Sequence, residues 1–101
     1  MILYNVTVSL DEKIESEWLT WMKKEHIPEV MKTEKFFDKK IFRLLSHEQE
    51  GAITYAIQYF AKTQEDIQAY QEEYAGALQA AHDEKFKDKF VAFRTMLEEV
   101  I

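Results

Sequence analysis

Two spacings of apolar residues take turns along this chain, and their order restricts the fold more than any other feature. Strict alternation runs over residues 2 to 10, where Tyr4, Val6, Val8 and Leu10 interleave with Asn5, Thr7 and Ser9. Spacing by threes and fours follows at Ile14, Trp18, Trp21 and Met22, and alternation returns over 40 to 48 and 52 to 61. A second helical run holds Ile67, Tyr70, Tyr74, Leu78 and Ala81, and a last alternating stretch covers 89 to 97. The chain therefore reads strand, helix, strand, strand, helix, strand.

Local signals agree with these boundaries. Asp11 offers an N-cap, with Glu12 and Glu15 in the first turn where the helix dipole favours negative charge. Thr63 with Asp66 resembles a capping box for the second helix, and Glu50-Gly51 reads as a hairpin turn. Pro28 predicts a kink or restart in the first helix, with the Lys24 carbonyl losing its usual donor. His26 stands at that break on the apolar stripe, Gly76 marks an interruption of the second helix, and His82 lies midway between Leu78 and Phe86.

β-α-β occurring twice is the split β-α-β or ferredoxin-like plan: an α+β fold whose four-stranded antiparallel sheet carries both helices on one face. With 101 residues, 47% of them hydrophobic, and only two glycines and one proline, the chain is expected to form one domain over 1–101 without a linker. Alternation assigns Tyr4, Val6, Val8, Phe42, Leu44, Ile53, Tyr55, Ile57, Tyr59, Val91, Phe93 and Leu97 to the helix-facing side. The other face then collects Leu3, Asn5, Thr7, Ser9, Ile41, Arg43, Leu45, His47, Thr54, Ala56, Gln58, Phe60, Phe90, Ala92, Arg94 and Met96.

So apolar a bare face exceeds what a monomer normally exposes, and a second copy in two-fold symmetry is its simplest cover, giving a dimeric α+β barrel. The polar members Asn5, Thr7, Arg43, Thr54, Gln58 and Arg94 then either line a ligand pocket on the non-helix face or bond one another across the dimer. Two guanidinium groups, Arg43 and Arg94, suit a small anionic ligand. His26 and His82 are the candidate catalytic residues, as the acid-base groups active near neutral pH.

Charge and composition exclude several classes. A net charge of −6 argues against a nucleic-acid partner, and the cluster Lys35, Lys39, Lys40 and Arg43 lies beside Glu34 and Asp38 as a solvated connection. The chain lacks cysteine, and His26 with Glu29 or His82 with Asp83 supplies one imidazole apiece, so no metal site is expected. Ser9, Ser16 and Ser46 lie in no nucleophile motif. No basic-then-apolar leader or membrane span is legible at the N-terminus, and a cytoplasmic protein is expected.

Leu3-Tyr4-Asn5-Val6-Thr7-Val8, Trp18 with Trp21, His26-Ile27-Pro28-Glu29-Val30, Arg43-Leu44-Leu45, Thr54-Tyr55-Ala56-Ile57-Gln58-Tyr59-Phe60 and Phe90-Val91-Ala92-Phe93-Arg94-Thr95 together resemble a small uncharacterised bacterial family, a domain of unknown function. The resemblance spans nearly the whole chain and implies the dimeric α+β barrel fold without an activity. More distantly the chain looks like cofactor-independent monooxygenases of antibiotic biosynthesis, haem-degrading monooxygenases, lactone isomerases and stress-responsive barrels, which share a pocket between sheet and helices. A histidine on the second helix, as His82, resembles the haem-degrading branch, which keeps haem as the remote alternative to an expectation of no cofactor. The expected function is small-molecule binding by a homodimer with cofactor-free monooxygenase- or isomerase-like chemistry. The competing expectation is a non-catalytic dimerisation or regulatory module without a ligand.

Overall fold

A computed structural model describes residues 1–46 and 50–101. Strand β1 (Ile2–Asp11) leads through a 3-10 turn (Glu12–Ile14) into α1 (Glu15–Trp21), a π-helical turn (Met22–His26) and α2 (Ile27–Lys32), which together form the first helical rod. Strands β2 (Asp38–Arg43) and β3 (Ala52–Ala61) follow, then the second rod: α3 (Gln64–Tyr70), a π turn (Gln71–Ala75) and α4 (Gly76–Lys85). Strand β4 (Phe90–Glu98) ends the fold. The sheet runs β2-β3-β1-β4, antiparallel throughout, so β2 and β4 are its two edges. This is the expected β-α-β-β-α-β architecture.

The caps form as read. Lys13 N–H donates to Asp11 Oδ1 (2.9 Å) and Asp66 N–H to Thr63 Oγ1 (3.2 Å), and Gly51 takes φ +81° in the β2–β3 connection. Pro28 does not break the first rod. The preceding π turn widens the helix by one residue, Ile27 N–H bonds to Met22 O, and Pro28 falls in the first turn of α2, where a missing N–H is tolerated. Strand β2 stops at Arg43, short of the expected reach to 48, although Leu44 N–H still donates to Thr54 O (2.8 Å). His47 lies outside the described residues.

One layer of side chains between rods and sheet makes the core. Tyr4, Val8, Leu10, Ile53, Ile57 and Tyr59 from the central strands meet Trp18, Met22, Val30, Ile67 and Tyr70 from the rods. Phe36, from the connection after α2, joins Tyr4, Tyr59 and Tyr70 at ring distances of 5.0–6.0 Å.

The face assignment holds for β1 and β3 and is inverted for both edges. Directly opposed residues share a face, and the pairs Ile41↔Ile57, Arg43↔Tyr55, Phe90↔Leu10, Ala92↔Val8, Arg94↔Val6 and Met96↔Tyr4 put those edge residues on the helix side. Phe42, Val91, Phe93 and Leu97 stand instead on the open face with Leu3, Asn5, Thr7, Ser9, Thr54, Ala56, Gln58 and Phe60. Both alternating sets of β4 are largely apolar and those of β2 hold one apolar residue each, Ile41 and Phe42, so hydrophobic pattern alone could not choose the phase, and cross-strand register chose it. The bare face remains strongly apolar, with Phe42 49%, Phe93 61% and Val91 70% exposed.

Candidate functional site

The inverted edges break up the expected pocket. Asn5, Thr7, Thr54 and Gln58 stay together on the open face, where Asn5 Nδ2 donates to Thr7 Oγ1 (3.0 Å) and to Thr95 Oγ1 (3.4 Å). Asn5 Oδ1 is buried without a partner, the single such side-chain atom among the described residues. Arg43 and Arg94 leave that face and stand on opposite edges of the sheet, so the two guanidinium groups do not converge.

Arg43 belongs to a structural tie. Its Nε lies 3.9 Å from Glu15 Oε2, which also accepts the Tyr55 hydroxyl proton at 2.7 Å. Burial and then the Glu15 carboxylate push Tyr55 up to about 12, so the phenol stays a donor that fastens α1 to the sheet.

Arg94 instead reaches the mouth of a cavity between sheet and rods. Tyr4, Val6, Val8, Ile57, Tyr59, Ala92 and Arg94 form its floor, and Met22, His26, Val30, Tyr70, Gln79 and His82 its roof. Arg94 and Gln79 neighbour the Tyr4 hydroxyl and favour its ionised form, while burial, the larger effect, raises its pKa. Both π turns border the space: one contains Met22 and His26, and the other begins just after Tyr70. Positions open to the centre of a water molecule amount to about 30 Å³, room for one or two waters.

The two histidines meet here, with ring centroids 5.8 Å apart, and their surroundings differ. Trp18 Nε1 donates to His82 Nε2 at 2.9 Å, and an indole N–H can only donate, so neutral His82 carries its proton on Nδ1. That ring is also boxed by Phe90 at 4.4 Å, Phe86 at 5.5 Å and Trp21 at 5.8 Å. His26 stacks on Trp21 at 5.0 Å, and neither of its nitrogens hydrogen-bonds another described residue. Burial, then His82, then Arg94 lower His26 to about 4; burial and Arg94 lower His82 while Asp83 opposes them. Burial raises Tyr59 and Tyr70, so the cavity holds neutral phenols, neutral imidazoles and one cation, Arg94.

Tyr4, Tyr59, Tyr70 and Gln79 were not expected at a site. The signal was present: three tyrosines on the helix-facing side of β1 and β3 and one on the inner stripe of the second helix carry hydroxyls that need partners once buried.

Among the described residues no three His, Asp or Glu side chains lie together as metal ligands would. A haem does not fit either, because His82 Nε2 is committed to Trp18 and the cavity has no room for a macrocycle. Among the described residues no helix is long and apolar enough to cross a membrane.

Residues 1–100 match the family described as Domain of unknown function (DUF4286). The chain belongs to that family. No curated protein matches this DUF4286 chain by sequence. Solved structures share its fold at low identity. A protein from Arabidopsis thaliana superposes with TM-score 0.70 at 16% identity, covering 100% of this chain and 99% of its own. A protein described as dimeric and ferredoxin-like, from an uncultured marine organism, gives TM-score 0.68 at 14% identity, covering 100% and 99%. SnoaB, described as a cofactor-independent oxygenase from Streptomyces nogalater, gives TM-score 0.63 at 5% identity, covering 97% and 92%. At these identities the likeness concerns the fold alone: the DUF4286 chain shares the ferredoxin-like architecture of proteins that are described as dimeric.

Proposed function

We propose that the chain binds a small organic anion in the cavity between sheet and rods, with Arg94 as the anchoring cation and His26 as the proton acceptor. The observation that carries this reading is the convergence, on one apolar, tyrosine-lined space, of a guanidinium and an imidazole that has no hydrogen-bond partner among the described residues. An arriving anion offsets the field of Arg94 and raises the proton affinity of His26, so the acceptor becomes competent as the ligand seats. A proton taken from an acidic C–H or O–H leaves a delocalised anion held by Arg94 and the tyrosine hydroxyls. That step opens both isomerisation and cofactor-free oxygenation with dioxygen as oxidant, and SnoaB, of the same fold, supports the second by analogy.

Because the cavity now has room only for water, ligand admission requires the roof to lift. The π turns are suited to this, since each is a one-residue excess that weakens the helix beside the space.

The same reading makes the molecule a homodimer closed over the open sheet face, whose exposed Phe42, Val91, Phe93 and Leu97 exceed what a monomer usually shows to water.

Native mass spectrometry of gently purified protein tests the proposal. A dimer carrying a defined small-molecule mass is expected, and Arg94→Ala should lose that mass while staying dimeric. Retention of the same adduct by Arg94→Ala sinks the anchoring role. The small cavity volume favours a second reading, a non-catalytic module in which Tyr4, Arg94, Gln79, Trp18 and His82 satisfy one another. It predicts no adduct, and a loss of about 1–3 kcal/mol in Arg94→Ala from the partners left behind.

A further inference from the structure

A proton acceptor needs a fixed ring and some support for the charge it takes on, and on the reading proposed above that acceptor is His26. No hydrogen bond ties its imidazole to another described residue. Its ring neighbours among those residues are Trp21, stacked on it at 5.0 Å and 28°, and His82, edge-on at 5.8 Å.

The stack depends on the π turn. Five residues of α-helix turn through about 500°, which would leave Trp21 and His26 on different sides of the rod. In the turn Met22–His26 the Ile27 amide reaches back five residues to Met22 O, so one turn of chain takes up the extra residue and positions five apart come to lie over one another. The second rod steadies the indole in its place: Phe86 meets it edge to face at 5.4 Å, and His82 lies 5.8 Å away.

The charges around His26 all work against its protonation. Burial opposes it most, then His82 from α4, then Arg94 from β4, while Asp83 acts on His82. Tyr4, Tyr59 and Tyr70, from β1, β3 and α3, face the same space as neutral phenols. Lys13, Lys24 and Lys85 lie outside, with Glu17 and Glu25, along a surface groove that Trp21 borders. An aromatic face is the opposite case, because its quadrupole attracts a cation lying over it, and indole does so best.

We propose that Trp21 is the positioning residue for His26: its indole face holds the acceptor ring at the cavity wall and supports the imidazolium that forms when the ring takes a proton. Contact between the two rings strengthens as His26 becomes charged, so the support arrives at the moment of proton transfer.

NMR of histidine-labelled protein tests this, with the His26 signal identified by its absence from His26→Gln and followed from pH 8 down through its protonation. Trp21→Leu, which fills much of the space without an aromatic face, should move the His26 midpoint down by about half to one pH unit, and Trp21→Phe and Trp21→Tyr should recover at least half of that shift. In the otherwise unaltered chain, biosynthetic replacement of the indoles by mono-, di- and trifluorotryptophan drains the ring face while keeping its shape, and the midpoint should fall step by step. That series decides the matter if Trp21→Leu does not fold. A midpoint that stays or rises in folded Trp21→Leu, or is flat across the fluorinated series, overturns the positioning role. The titration uses no ligand, so retention of the adduct by Arg94→Ala overturns the anchoring reading alone, and the two failures are told apart.

Discussion

His26 and His82 are neighbours with different duties, and hydrogen bonding separates them. His82 spends its free lone pair on Trp18, whereas His26 is held by stacking and keeps both nitrogens available. Folding lowers His26 from 6.5 to about 4, so between those pH values the unfolded chain binds more protons than the folded one. Stability contributed by the neutral ring is therefore complete above pH 6.5 and is lost as pH falls toward 4, by roughly 3 kcal/mol in all. His82 shifts the same way and adds to the loss. Urea unfolding at pH 7 and pH 5 should show a decrease in the wild type that His26→Gln reduces by about 2 kcal/mol; an unchanged difference would mean that His26 titrates normally in the fold. At this scale sequence reasoning singled out both histidines and Arg94, though it set Arg94 on the opposite face, and it could not foresee the surroundings of Arg43, because an arginine in sequence carries no mark of the Glu15 carboxylate that the fold brings beside it.

Element types and order were legible because period two and period 3.6 are hard to confuse over eight or more residues. The phase of the edge strands was not. Phe90, Ala92 and Met96 against Val91, Phe93 and Leu97 offer two apolar faces, since one packs under the rods while the other awaits a partner. The π turns were equally hidden, because one added residue per rod shifts the helical stripe by about 100° without leaving a composition signal. Backbone conformation also shows where the sequence and its elements disagree. Glu34 adopts φ +64° just after α2, a left-handed position that costs an L side chain about 1 kcal/mol. Gly76 sits in ordinary helical geometry, and a Cβ there would touch nothing within 4 Å. Glu34→Gly and Gly76→Ala should each stabilise the protein by about 0.5–1 kcal/mol, read as a rise of a few degrees in the thermal midpoint. A fall in either would contradict the backbone geometry at that position.

For the whole molecule, stability and assembly are linked if the open face is closed by a second copy. Mass action then makes the thermal midpoint climb with protein concentration. Phe93→Glu, which leaves the rod-side core untouched, should abolish that dependence and give a monomer by light scattering; a concentration-independent midpoint in the wild type would deny the assembly. The chain's two tryptophans do not line the cavity but each touches one of its histidines, Trp18 bonded to one imidazole and Trp21 stacked on the other. Because an imidazolium quenches indole emission and a neutral ring does so far less, the intrinsic fluorescence of this protein is in effect an optical readout of a single place. Ligand capture, protonation and loosening of the roof should each alter its intensity, with no label attached and no distant indole to dilute the signal.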